Sequence, residues 1–342
     1  MLKLPMNRIG ELFSKISAGR ALYLPIEAGG QVNFGLWTGR ETVRLDADKT
    51  GRSAKDFFFP QTENLADFKM WGKTVEVAER ERPSEPFVVM GVRACDAASF
   101  EILDRVFLSE PADTFYAARR AAGVIVATAC EEPGRFCFCA AMGIDASQPR
   151  GDVAAWIAAD NLYWQPQTEK GEALTDSLRE LFEEGGEDAV LAQKKETRRK
   201  IESLPLAGLD LSGVGRDEMM EVFDSAEWKR LSDCCLGCGA CTFVCPTCQC
   251  YDIRDYDTGH GVSRYRCWDS CMYSDFTLMA HGTNRPTQLE RFRQRFMHKL
   301  VYFPKNNEGI LGCVGCGRCV EKCPAHMNIV KVARALERGK KA

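Results

Sequence analysis

Eight cysteines form two copies of one spacing, C-x2-C-x2-C-x3-C, each followed by proline. The first copy contains Cys235, Cys238, Cys241 and Cys245, and the second contains Cys313, Cys316, Cys319 and Cys323. This is the spacing of bacterial ferredoxins, in which short gaps let a tight loop turn three sulfurs toward one cubane. The duplicated run therefore predicts two [4Fe–4S] clusters.

The predicted ligands cross between the two runs, because the fourth cysteine of such a run ligates the other cluster in two-cluster proteins. The first cluster would be held by Cys235, Cys238, Cys241 and Cys323. The second would be held by Cys313, Cys316, Cys319 and Cys245. Pro246 and Pro324 follow the fourth cysteines, where proline prevents the chain from closing helically over the site.

Four cysteines in the N-terminal half are candidates for a third site: Cys95, Cys130, Cys137 and Cys139. Cys95 and Cys130 follow predicted buried strands at residues 86–92 and 123–129, which are separated by a predicted helix at residues 96–107. A strand–helix–strand order suggests a parallel pair, with both thiols at the edge where open sheets bind ligands. A third [4Fe–4S] cluster, a zinc site and inert buried thiols are the alternatives.

Five cysteines remain: Cys234, Cys248, Cys250, Cys267 and Cys271. Cys234 adjoins a predicted ligand and is expected to point elsewhere. Cys248, Cys250 and Cys271 fit either part of a further site or the surroundings of a cluster.

The candidate metal-binding cysteines lie on a predicted α+β fold. A mixed α/β domain is expected over residues 1–190, a helical linker over 191–225, and a mainly helical ferredoxin-like domain with a long insertion over 226–342. Local patterns predict short strands at 21–25 and 41–45, charged helical sequence at 171–200, a loop at 208–215, and helices at 217–228, 285–303 and 327–338. The basic, aromatic helix at 285–303 would either pack on the cluster domain or dock a partner protein.

Composition narrows the class of protein. The formal net charge of −3 gives no indication of nucleic-acid binding. We expect no signal peptide and no membrane span, because the longest apolar run is too short. Cysteines spaced for metal in a long chain argue against a disulfide framework and favour a reducing cytoplasm.

Other catalytic chemistry is not predicted. No G-x-G-x-x-G motif follows a strand and no Walker loop is present, so we expect no nucleotide site. The four histidines lack metal-ligand spacing, and no nucleophile–base pair is evident.

Seven stretches together resemble the family that contains the iron–sulfur subunit of anaerobic sulfite reductase and the β subunit of cytoplasmic sulfhydrogenases. They cover most of the chain: FFFPQTENL (57–65), GVRACDAASFEILDRVF (91–107), CEEPGRFCFCAAMG (130–143), CLGCGACTFVCPTCQCYD (235–252), WDSCMYSDFTLMAHG (268–282), RFRQRFMHKLVYFP (291–304) and CVGCGRCVEKCP (313–324). The sequence departs from the family pattern at Ala94, where relatives carry proline, and at Cys267, which is additional.

The resemblance implies a non-catalytic electron-transfer subunit of an oxidoreductase complex. Its partner would be a flavoprotein that binds FAD and takes a hydride from NAD(P)H. The terminal subunit would be a siroheme sulfite reductase or, alternatively, a nickel–iron hydrogenase. A free ferredoxin-like carrier is the rival interpretation from another class.

Overall fold

The computed structural model describes residues 1–211 and 219–339. Tertiary contacts divide the chain into two compact units, each discontinuous in sequence. The first unit comprises Met1–Lys55, Ser84–Leu211 and Cys313–Arg318, and the second comprises Asp56–Pro83, Ser212–Gly312 and Cys319–Ala342. These ranges differ from the three contiguous ones predicted from sequence.

The described strands are β1 (Leu2–Pro5), β2 (Ala21–Ala28), β3 (Gln31–Leu36), β4 (Thr62–Trp71), β5 (Thr74–Glu79), β6 (Phe87–Arg93), β7 (Gly123–Thr128), β8 (Val153–Ala158), β9 (Asn161–Pro166), β10 (Glu183–Glu184), β11 (Tyr251–Asp257), β12 (Val262–Trp268), β13 (Leu278–Met279) and β14 (Gly282–Thr283).

The described α-helices are α1 (Ile9–Ser17), α2 (Lys55–Phe58), α3 (Ala94–Phe107), α4 (Thr114–Ala122), α5 (Glu169–Asp176), α6 (Asp188–Glu202), α7 (Met219–Phe223), α8 (Glu227–Ser232), α9 (Ala240–Phe243), α10 (Gln288–Met297), α11 (Phe303–Asn306), α12 (Arg318–Glu321) and α13 (Ile329–Gly339). Short 3₁₀ turns span Met6–Arg8, Cys139–Met142, Arg179–Leu181 and Asp275–Thr277, and a π-helical segment spans His298–Tyr302.

The first unit is built on one mixed eight-stranded sheet in the order β10-β1-β9-β8-β7-β6-β2-β3. The pairs β2–β6, β6–β7 and β7–β8 are parallel. Both β6 and β7 are buried along their whole length, which explains their continuous apolar sequences. The predicted mixed α/β architecture, the parallel β6–β7 pair and the intervening helix α3 are confirmed.

Alternate residues of the sheet enter two separate cores. Val153 and Ala155 pack with Val126 in one core, whereas Ala154 and Trp156 belong to the other. Successive side chains on a strand point to opposite faces, so the two cores lie on opposite faces of the sheet. Residues of α1 and α5 contribute to the first core and Val190 of α6 to the second.

One strand prediction for the first unit is wrong. Residues 41–45 form no strand, because Val43 makes only a single isolated bridge to Ile26. The charged, helix-forming region predicted at 171–200 contains α5 and α6, which are separated by the turn Arg179–Leu181 and the short strand β10.

The second unit contains a four-stranded antiparallel sheet in the order β11-β12-β4-β5. A mainly helical cluster domain is therefore not confirmed. Strand β4 pairs with β12 in a register that matches Phe68 with Val262. This pairing joins segments that are far apart in the sequence, so local patterns did not reveal it.

The predicted helix at 285–303 is present as α10 and its π-helical continuation. It begins at Gln288 because Thr287 and Glu290 form a capping box, which satisfies free backbone donors at the helix start. Phe292, Phe296 and Met297 are buried, as the packing interpretation requires.

The remaining helix predictions are met with shifted bounds. The helix predicted at 217–228 is present as α7 and α8, although residues 217 and 218 lie outside the described residues. The helix predicted at 327–338 is α13. The loop predicted at 208–215 lies partly outside the described residues, since 212–215 are not among them.

Candidate metal centres

The first cysteine run begins as a tight loop, continues through α9 and ends at Cys245, two residues after that helix. Gly237 and Gly239 adopt positive φ angles of 66° and 72°, which glycine tolerates without steric cost. The backbone N–H of Gly237 donates to Cys235 Sγ at 3.4 Å, and Gln288 Nε2 donates to the same sulfur at 3.5 Å. Such donors stabilise a cluster thiolate and help set its reduction potential.

A single cavity in the second unit brings together the four cysteines predicted to hold the first cluster. Its cysteine lining is Cys235, Cys238, Cys241 and Cys323. Its apolar lining includes Met272, Phe292 and Phe296. The arrangement is the one that crossed ligation requires, with the fourth thiol supplied from the other run.

The cavity also contains a buried cation, which bears on whether a negatively charged cluster fits there. Arg295 lines it and is only 3% exposed, and its Nε has no hydrogen-bond partner among the described residues. Burial lowers the pKa of Arg295, but nearby thiolates, led by Cys241, raise it well above the usual value. An oxidised cubane with four thiolates carries a charge of about −2, so it fits a site that is lined by a buried guanidinium.

The second run repeats the local geometry of the first. Gly315 and Gly317 have φ angles of 64° and 78°, and the N–H of Gly315 donates to Cys313 Sγ at 3.4 Å. A Cβ on Gly315 would lie 2.6 Å from backbone atoms of Phe138 and Cys139. Glycine is therefore required for this loop to lie against the segment that carries the N-terminal thiols.

The cysteines predicted to hold the second cluster are divided between the two units. Cys313 and Cys316 belong to the first unit, and Cys245 and Cys319 belong to the second. Burial raises the pKa of Cys245, but Lys299 and Arg295 lower it more strongly, so its pKa lies below the usual range. The joint ligation of a cluster by these four residues stays a prediction.

The N-terminal cysteines are all buried, and two of them lie at the carboxyl ends of β6 and β7. Cys95 is the second residue of α3, directly after β6, and Cys130 follows β7. Burial raises the pKa of Cys139 to about 12, with further contributions from Cys130 and Cys137. Burial likewise raises the pKa of Cys95, with contributions from Asp96, Cys316 and Cys139.

These electrostatic contributions relate Cys139 to each of the other three N-terminal cysteines, and they relate Cys95 to Cys316, a neighbour that sequence reasoning missed. The raised pKa values mean that the thiols alone favour the protonated form, whereas a bound metal stabilises thiolates. Within the described residues, no group of three or more His, Cys, Asp or Glu side chains is arranged for a single metal ion. A cubane differs from a single-ion site because each of its four thiolates binds a separate iron atom, so the thiolates lie further apart.

A buried ion pair joins the second run to the N-terminal site, and sequence reasoning did not find it. Arg318 donates to both carboxylate oxygens of Asp96 at 2.5 and 2.7 Å and to the Thr50 carbonyl at 2.9 Å. Asp96 directly follows Cys95, and Arg318 lies between Cys316 and Cys319. The only sequence signal was a charged residue next to a predicted ligand.

The remaining cysteines fall into two groups. Cys234 is exposed, and Cys267 lies in β12 opposite Asp252. Cys248 lowers the pKa of Cys250, but Cys271 and burial together raise it to about 12. The pKa of Cys271 is in turn lowered by Cys250 and raised by Cys248 and burial, so these three cysteines are electrostatic neighbours.

No helix among the described residues is long and apolar enough to cross a membrane.

Comparison with known proteins agrees with the cysteine pattern. A family model described as "4Fe-4S dicluster domain" matches residues 234–327, which confirms the prediction of two [4Fe–4S] clusters. A third cluster stays a prediction. The chain is 33% identical to Sulfhydrogenase 2 subunit beta of Pyrococcus furiosus over 340 residues, which is 99% of this chain and 98% of that protein. The chain therefore belongs to the iron–sulfur subunit family that includes the sulfhydrogenase beta subunits.

Proposed function

We propose that this chain is the electron-relay subunit of a cytoplasmic oxidoreductase complex. It receives electrons from a partner flavoprotein, which binds FAD and is reduced by NAD(P)H, and passes them singly through its clusters to a terminal catalytic subunit. The observation that carries the proposal is the cavity lined by Cys235, Cys238, Cys241 and Cys323. Four protein thiolates on one cubane leave no iron open to a substrate, which favours electron transfer over catalysis.

A flavoprotein partner follows from the chemistry of the electron donor. A nicotinamide delivers two electrons as a hydride, whereas each cubane accepts one. A flavin must therefore stand between them to divide the pair. The chain shows no phosphate-binding glycine loop of its own, so the flavin and the nicotinamide belong on another protein of the complex.

The terminal partner has two candidates. Sequence resemblance alone places a siroheme sulfite reductase first. The full-length similarity to a protein named as a sulfhydrogenase subunit supports a nickel–iron hydrogenase at least as well. Both alternatives use the same relay and differ in the protein that receives the electrons.

Affinity purification of the tagged chain from its native cells under anaerobic conditions tests the proposal. We expect a stable complex that contains a flavoprotein and one terminal oxidoreductase. Mass spectrometry identifies that oxidoreductase, and assays of sulfite reduction and hydrogen oxidation distinguish the two candidates. Recovery of the chain as a monomer that reduces several unrelated acceptors would replace this proposal with a free carrier.

A further inference from the structure

Helix α10 presents one charged side chain, Arg295, to the first cysteine cavity. Phe292, Arg295 and Phe296 line this cavity together, as residues three and four positions apart on one helix face do. The two phenylalanines are almost fully buried, and so is the arginine between them. A cation thus occupies a position where the helix pattern otherwise uses apolar residues.

The hydrogen bonds of Arg295 do not account for its burial. Its Nη2 donates to the Cys241 carbonyl at 2.9 Å, and its Nε has no partner among the described residues. The groups that most favour its charged form are the cysteines Cys241, Cys319, Cys245 and Cys271, of which Cys241 lines this cavity; no carboxylate is among them.

Burial of a guanidinium without a counter-charge is costly, so buried charges in proteins are paired or coordinate metals. The cavity around Arg295 is otherwise apolar apart from its cysteines. The negative charge that compensates Arg295 must then come from the thiolates and from what they bind. A thiolate-ligated cubane supplies this charge in both of its redox states, and supplies more when it is reduced.

We propose that Arg295 is the internal counter-ion of the [4Fe–4S] cluster in this cavity and raises its reduction potential. The proposal rests on the proposed function, because it takes the cavity to hold a redox cluster. Reduction adds one electron to the cluster, so its total charge changes from about −2 to about −3. A fixed positive charge stabilises the reduced form more than the oxidised form, and burial prevents solvent from screening that difference.

The test is a redox titration of the anaerobically reconstituted full chain, followed by electron paramagnetic resonance. Arg295→Met removes the charge and keeps an unbranched, apolar side chain of similar length. The signal that is lost in Cys323→Ser identifies the cluster of this cavity. We expect Arg295→Met to lower the reduced-to-oxidised ratio at a fixed potential at least tenfold, which equals a midpoint about 59 mV lower for a one-electron couple.

Two further variants separate charge from packing. Arg295→Lys keeps the charge and should retain most of the wild-type potential. Arg230→Met removes an arginine that is 66% exposed on α8, and should leave the potential unchanged because solvent and salt screen that charge. An Arg295→Met protein with full iron content and a ratio changed less than twofold would overturn the proposal.

A second measurement decides the matter if Arg295→Met does not assemble the cluster. In chelator-treated full chain, the wild type retains a guanidinium that has lost its counter-charge, whereas Arg295→Met does not. The metal-free variant should therefore unfold at a higher temperature than the metal-free wild type; an equal or lower temperature would contradict the counter-ion role. Absence of iron from reconstituted wild-type protein would instead refute the proposed function itself.

Discussion

Replacement of Asp96 by Asn should destabilise the first unit severely. Asp96 and Arg318 are 2% and 1% exposed at their side chains, and their two hydrogen bonds form a bidentate pair. Asn keeps the size of the side chain but leaves the buried Arg318 guanidinium without its carboxylate partner. Loss of one partner from a buried pair costs about 3–5 kcal/mol.

The assay is anaerobic urea unfolding of the reconstituted protein, followed by far-ultraviolet circular dichroism. With an m value of about 3 kcal/mol per molar urea, the expected loss moves the midpoint down by about 1 M or more. The matched control is Glu227→Gln, which breaks the more exposed pair between Glu227 and Arg230. Such surface pairs contribute about 0–1 kcal/mol.

A midpoint for Asp96→Asn that shifts no further than that of Glu227→Gln would refute this reasoning. A double variant gives an independent check. Asp96→Leu combined with Arg318→Met removes both charges, and should recover part of the loss, because apolar replacement of a whole buried pair is often neutral or stabilising. A double variant that is less stable than either single variant would show that the pair contributes through something other than charge compensation.

Three other outcomes are expected. Iron and sulfide analysis of the anaerobically reconstituted protein should find about eight iron atoms, or about twelve if the N-terminal site is a cubane. If twelve are found, Cys130→Ser should lower the iron content by about four atoms. A wild-type content of about four iron atoms or fewer would contradict two clusters. Cys323→Ser should perturb the cluster of the first run in electron paramagnetic resonance spectra, whereas Cys267→Ser should not; damage confined to the cluster of the second run would contradict crossed ligation. Burial lowers the pKa of His298 to about 4, from about 6.5 in the unfolded chain. The unfolded chain therefore binds more protons between these pH values, and the free energy of unfolding should decrease as pH falls from about 6.5 to about 4. His298→Gln should weaken this pH dependence in urea titrations, and an unchanged dependence would contradict the role of His298.

Local sequence patterns were sufficient where the structure depends on neighbouring residues. The apolar runs that became β6 and β7 predicted parallel strands, and this placed Cys95 and Cys130 at one sheet edge. The repeated cysteine spacing predicted that Cys323 would join the first run, and the cavity contains it. The strands were predicted from residue type within a short window, whereas the position of Cys323 was predicted from the repetition of one short spacing in two distant segments.

Features that depend on distant residues were not predictable in this way. The β4–β5 hairpin pairs with β12 across most of the chain length, and no local pattern specifies such a partner. The segment at 41–45 has strand-like composition but makes only one bridge. Neither the Asp96–Arg318 pair nor the burial of Arg295 can be read from sequence, since charged residues are normally exposed.

The electron-relay function is tested most directly by anaerobic mixing of the reconstituted chain with NADH or NADPH while the visible absorbance of its clusters is recorded. The isolated chain should keep its absorbance, because it has no predicted site for a nicotinamide or a flavin. Addition of its flavoprotein partner should bleach the clusters, since the flavin divides each hydride into single electrons. Bleaching of the isolated chain, or intact absorbance in the presence of the reduced flavoprotein, would contradict the relay.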